Sequence, residues 1–268
     1  MRRVILGESE IETSVLGLGC SKILGSVDKN TSLKALRLAL DHGITHFDVA
    51  RSYGFGDAER LVGSFLKGER HRVTLASKFG IVPDWKVKYL KPLKPLVRAL
   101  KRVTHTQKNH SPNKIAVDLN KRVHIDRNFL FKSLDKSLEA FKTDYLDVFM
   151  VHDPLETLTG IDEILLGLDI AKRNGKIRLN GIAIDKESFI SHREYLKYFD
   201  IVQMNFDIEK RDFVTDSSCI HFGVSSNDFI IGNVENKLAY LNEKYPNDLI
   251  LMSMFNEDHL IQNTKLFL

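Results

Sequence analysis

Four residues of this chain have the types and spacing for proton-transfer chemistry: Asp48, Tyr53, Lys78 and His152. Asp48 and Tyr53 lie in HFDVARSYG, Lys78 in TLASKFG and His152 in LDVFMVHDP. Each falls in or just after an apolar run of strand length. A buried tyrosine beside a lysine and an aspartate is expected to be a phenol of lowered pKa. Such a phenol can give its proton to a carbonyl oxygen near neutral pH. Taken singly, the four residues have plainer readings. A buried Asp–Lys pair is most often an ion pair with no catalytic role, and a strand-end histidine is more often a satisfied polar residue. Their order along the chain and their shared place at strand ends make the set more informative than any member.

The elements that must position them alternate along the chain. Near-continuously apolar runs read as parallel strands buried on both faces. They are VLGLGC, ITHFDVA, VTLASKF, YLDVFMVH, IRLNGIAI, DIVQMNF, CIHFGV and LILMSM. Helical patterns cover residues 31–42, 58–66, 127–141, 161–174, 186–198, 234–245 and 257–266, with a weak one near Arg211. Gly43 and Gly175 read as helix stops, and Asp126 as an N-cap. Eight strands alternating with helices in 268 residues predict an α/β fold, a (β/α)8 TIM barrel forming one domain over residues 1–268. A doubly wound open sheet is the main alternative, but no GxGxxG follows the first strand. In a barrel, Asp48, Lys78 and His152 end the second, third and fourth strands, and Tyr53 follows on the loop. Neighbouring strands are about 4.8 Å apart, so these ends can converge.

Residues 82–124 interrupt the rhythm. They hold eleven Lys and Arg against two acids, four of the six prolines and the lone Trp85. The segment carries +9 in a chain of net +4, which leaves −5 for the rest. It reads as a basic insertion after the third strand, either a solvated excursion or a surface for anionic groups. No nucleic-acid motif accompanies it, so nucleic-acid binding is not expected. Two distant cysteines, Cys20 and Cys219, argue against a disulfide framework. No apolar run reads as a signal peptide or a membrane span, so a cytoplasmic protein is expected. His42 and His46 flank a turn; His42 reads as a helix-end cation and His46 as a surface or packing residue. No HExxH, CxxC or carboxylate cluster suggests a metal.

These motifs resemble those of the aldo-keto reductase family. The resemblance runs through SVLGLGC, HGITHFDVARSYGFGDAERLVG, LASKFG, SLDKSLEAFKTDYLDVFMVHDP, GKIRLNGIA, DIVQMNF and DHLIQN. It implies reduction of an aldehyde or ketone, a sugar or other anionic carbonyl compound included, with NADPH or NADH. Tyr53 would be the general acid, Lys78 would lower its pKa, Asp48 would hold Lys78, and His152 would orient the carbonyl. By the same resemblance Gly19, Cys20, Asp48, Gln203, Phe222, His259 and Asn263 would line the nucleotide. Asn205 would extend that edge or cap its strand. A monomer or weak oligomer acting on a small molecule is expected.

The chain also departs from the family pattern. Ala183 and Ile184 stand where the carboxamide-binding Ser-Asn pair is expected, and FGVSSNDF where a Ser-Pro-Leu loop is expected. His259 stands in place of an arginine, with Ser253 and Met254 at other expected 2′-phosphate contacts. The region after the last helix reads as shortened, and the basic segment could take over part of its role. A non-redox barrel that binds a nucleotide or sugar is therefore the competing expectation. An unrelated barrel lyase or isomerase is a third, and it predicts activity without nicotinamide.

Overall fold

The predicted strands close on themselves. The computed structural model describes residues 1–83, 120–155, 160–214, 217–226 and 230–268. An antiparallel hairpin, β1 (Arg3–Ile5) with β2 (Glu12–Ser14), precedes the barrel. Three barrel strands follow: β3 (Leu16–Gly19), β4 (His46–Asp48) and β5 (Thr74–Phe79). A second antiparallel hairpin, β6 (Ile81–Pro83) with β7 (Asn120–Arg122), comes next. The remaining barrel strands are β8 (Leu146–His152), β9 (Ile177–Ile184), β10 (Ile201–Asn205), β11 (Ser218–Phe222) and β12 (Leu249–Met252). Each barrel strand pairs in parallel with the next, and β12 returns to β3. The (β/α)8 fold class is thus shown, and the open doubly wound sheet is excluded.

Helices fill the intervals, among the described residues: α1 (Lys29–Asp41), α2 (Ala58–Phe65), α3 (Arg127–Phe141), α4 (Ile161–Arg173), α5 (Phe189–His192), α6 (Ile208–Asp212), α7 (Val234–Lys244) and α8 (Glu257–Lys265). The stretch expected over 186–198 is α5 continued by a 3-10 segment, Arg193–Tyr198. Caps start the helices where short polar side chains allow. The Asp126 carboxylate accepts from Phe129 N at 2.6 Å, satisfying a backbone donor that has no partner within the helix.

Burial explains the apolar runs. Every residue of β5 is buried, Ser77 and Lys78 included. Phe79 and Phe149 stack across β5 and β8 with ring centroids 4.6 Å apart. Polar groups in this interior must be paired, and most are. The β6–β7 hairpin sits where the sequence places the insertion, and its register pairs Pro83 with Asn120. Residues 84–119 of the 82–124 segment, Trp85 among them, lie outside the described residues. No helix among the described residues is long and apolar enough to cross a membrane.

Candidate active site

The barrel brings the four predicted residues to one end. Lys78 on β5 donates through Nζ to Asp48 Oδ1 on β4, to Val49 O at 3.1 Å and to the Tyr53 hydroxyl at 3.5 Å. The Asp48 and Lys78 side chains are only 2% and 1% exposed, so the ion pair is sealed beneath the site. Tyr53 and His152 lie above it, half-buried, with ring centroids 6.0 Å apart and planes at 84°. His152 Nδ1 is buried without a hydrogen-bond partner. The phenol and the imidazole thus lie nearest the open end, with the charges packed below.

Local backbone features place Tyr53. The 3-10 turn Tyr53–Gly56 follows β4. A Cβ at Gly54 would stand 2.7 Å from Ile23 O, and its φ is +58°, so glycine is required there. The next residue, Phe55, is held at φ +60° despite its bulk. Such a conformation costs roughly 1–3 kcal/mol and persists where the surroundings over-determine it.

The electrostatics correct one expectation. The pKa of the Tyr53 phenol is not lowered. Burial, the largest influence, raises it; Lys78 pulls it down, and the balance stays above the usual tyrosine value. Tyr53 is therefore protonated at rest, as an acid must be, and Lys78 offsets part of the cost of releasing the proton. Burial also works against the charge on Lys78, but Asp48 and then Tyr53 outweigh it and raise its pKa. Burial, Lys78 and Arg122 together hold His152 well below the usual histidine value, which leaves a neutral imidazole.

The residues assigned to a nucleotide lie at or near the ends of β3, β4, β10 and β11 and on α8. Gln203 is buried and donates from Nε2 to Asp48 Oδ2 at 2.9 Å. The sequence carries no sign of that link to the ion pair, because Gln203 and Asp48 are 155 residues apart. Gly19 and Cys20 lie at the end of β3, and burial pushes the Cys20 thiol pKa up, so it stays protonated. Phe222 is half-buried at the end of β11. Ser253 donates to Gly19 O at 3.2 Å. Asn263 is buried on α8, with its amide nitrogen 3.5 Å from Met254 Sδ. His259 is exposed in the first turn of the same helix. Between residues 253 and 263 there is no Lys or Arg, while Glu257 and Asp258 occupy the first turn of α8.

Other features have no sequence signal. Arg122 on β7 is hydrogen-bonded to Asp153, the residue after His152, and reaches Asp185 at 3.4 Å. Asp153 adopts φ +41° and is held by Ser188 Oγ at 2.7 Å. Of the two readings of His46, surface or packing, the structure shows packing. It is fully buried in the barrel, both ring nitrogens lack partners, and burial lowers its pKa to about 4. His42 does sit at a helix end, as the C-cap of α1. Among the described residues one cluster, Cys219, His221 and Asp248, has metal-ligand types in reach. Arg211 occupies it, gripping Asp248 at 2.6 and 3.0 Å, while His221 takes the carboxylate at 2.8 Å. A cavity of about 610 Å³ opens at the opposite end of the barrel, beside Arg3, Asp147 and Arg178. Its Asp147 is engaged by Arg70 and Arg178, and it is remote from Tyr53.

Comparison with known proteins shows the family. Residues 15–216 match the model of the aldo/keto reductase family, and the chain belongs to that family. It is 31% identical over 191 residues to the aldo-keto reductase YhdN of Bacillus subtilis, covering 68% of this chain and 47% of that protein. It is 31% identical over 223 residues to the NADH-specific methylglyoxal reductase of Escherichia coli, covering 79% and 60%. The chain spans about half the length of the curated relatives it matches. The structure of an aldo-keto reductase from Klebsiella pneumoniae in complex with NADPH superposes with a TM-score of 0.67 at 20% identity, covering 99% of this chain and 89% of that one. At that identity the likeness is one of fold.

Proposed function

We propose that this chain reduces a small aldehyde or ketone to the alcohol, using a nicotinamide dinucleotide. The observation that carries the reading is the buried Asp48–Lys78 pair with Tyr53 Oη 3.5 Å from Nζ. A reduced nicotinamide supplies hydride to a carbonyl carbon when it is bound. The Tyr53 hydroxyl then donates a proton to the carbonyl oxygen. Lys78 stabilises the phenolate that remains, and Asp48 keeps the ammonium in place. Neutral His152, edge-on to the Tyr53 ring, donates a hydrogen bond that orients the same oxygen. The strand ends around Gly19, Cys20, Gln203, Phe222 and Ser253 would hold the nicotinamide half.

The adenosine end favours NADH. A 2′-phosphate calls for a bidentate, permanently charged arginine or a lysine. Residues 253–263 offer only His259 as a cation, next to Glu257 and Asp258. Carboxylates accept from a free ribose hydroxyl and repel a phosphate. The NADH-specific relative from Escherichia coli supports this direction. Titration calorimetry with each dinucleotide, paired with absorbance at 340 nm and small dicarbonyl and aldehyde substrates, tests the reading. NADH binding about tenfold tighter than NADPH, with turnover, is the expected result. Tighter NADPH binding overturns the cofactor preference. Binding without turnover of any carbonyl favours the competing non-redox barrel.

A further inference from the structure

Glu59 is a carboxylate only 1% exposed, in the first turn of α2. A buried carboxylate is costly unless it is charge-paired and its acceptor sites are filled. Here they are filled from three directions. Glu59 Oε2 meets Arg51 Nη1 at 2.5 Å. Oε1 accepts from Ser77 Oγ and from Ser137 Oγ, each at 2.7 Å. Ser137 lies on α3, Ser77 on β5 immediately before Lys78, and Arg51 on the loop two residues before Tyr53. Arg51 N also donates to Lys78 O at 3.3 Å. Glu59 touches neither the phenol nor the ammonium, but it binds both segments that carry them. The strained turn at Gly54 and Phe55 begins just beyond this anchor.

We propose that Glu59 is a positioning residue, one buried carboxylate that fixes the loop bearing Tyr53 against the strand bearing Lys78. Its kinetic consequence rests on the carbonyl-reductase reading, whereas its consequence for loop order does not. A helix-start acid could stay in solvent and still favour α2 through the helix dipole. This one is buried, with each oxygen assigned to a different neighbour of the site.

The test compares Glu59→Gln with Leu134→Val, a core substitution in α3 outside these hydrogen bonds, at matched loss of melting temperature. Turnover with NADH is read together with hydrogen exchange of residues 49–57 against strands β8 and β9. The expected result is a fall in kcat of about ten- to a hundredfold, with KM for the dinucleotide little changed. Exchange in 49–57 should quicken about tenfold relative to the strands. Leu134→Val should leave both unchanged. Arg51→Gln breaks the same tie from its more exposed end and gives the same comparison where Glu59→Gln does not fold. Loss of melting temperature with kcat and local exchange both unmoved overturns the proposal. If the wild-type protein reduces no carbonyl, the reductase reading falls and exchange alone decides: faster 49–57 supports the positioning role, and unchanged 49–57 overturns it.

Discussion

The ammonium of Lys78 reaches the Tyr53 hydroxyl at 3.5 Å while it is held by Asp48 and by the carbonyl of Val49. An ammonium has three donors, and all three are directed here. Lys78 therefore has no spare donor with which to turn away from the phenol. On the proposed reading, the charge that eases proton release is fixed in place before any substrate arrives.

Tyr53→Phe should lower kcat by about 10²–10⁴, the usual worth of a positioned general acid. Thermal stability should change little, because the hydroxyl has one long hydrogen bond and Tyr53 is only half-buried. Steady-state kinetics and a melting curve on the same sample check both halves. Retention of full activity removes Tyr53 from the acid role.

Asp48→Asn leaves an uncompensated ammonium in the barrel. Removing one partner of a buried pair typically costs about 3–5 kcal/mol. Lys78→Met alone leaves the carboxylate, which still has Gln203 as a donor. The double variant should therefore be less destabilised than the sum of the two singles, by urea unfolding. Additive losses would mean that the pair is not coupled in the folded protein.

His46 makes stability depend on acid. Burial holds its folded pKa at about 4, against about 6.5 in the unfolded chain. A histidine lowered on folding contributes stability in full above the unfolded pKa. That contribution falls away as pH drops from about 6.5 towards 4, because the unfolded chain takes up the proton first. The difference is of the order of 3 kcal/mol. His46→Leu should flatten the stability profile between about pH 6.5 and 4.5 relative to wild type. Parallel profiles for the two proteins would show that the imidazole is protonated, or solvated, in the folded state.

Gly80→Ala should displace His152. Gly80 has φ +113°, and a Cβ there would meet Ile125 Cδ1 at 2.9 Å and His152 O at 3.3 Å. Strain of this kind costs about 1–3 kcal/mol. Turnover should fall with it, because the ring proposed to orient the carbonyl rides on the displaced backbone. Unchanged kcat in a measurably destabilised variant would argue that the exact placement of His152 is unimportant.

The barrel is legible in the sequence because parallel strands buried on both faces write themselves as apolar runs. The runs that carry Asp48, Lys78 and His152 at or near their ends are β4, β5 and β8. Spacing also anticipates that the four candidate residues come together, since strand ends of a barrel share one rim. The protonation of Tyr53 is not legible, because identities reveal neighbours and not the balance between burial and charge. Glu59 is hidden for a related reason: a glutamate in the first turn of a helix looks like a dipole-friendly surface acid. Gln203 and Arg122 act on Asp48 and Asp153 across long stretches of chain; the closed sheet brings the first to its partner and the β6–β7 hairpin the second.

Asp48, Lys78 and His152 come from three strands that are neighbours in the barrel, β4, β5 and β8. The departures from the family pattern, at Ala183, Ile184, Ser253, Met254 and His259, all fall on β9 or later. On the proposed reading, the barrel divides into two half-cylinders with different duties. One half would keep the proton-handling groups together, and the other would carry most of the contacts that set which coenzyme is accepted. Gln203, hydrogen-bonded to Asp48 from β10, is a rivet between them, and exchanging one half for that of a relative has to preserve that rivet.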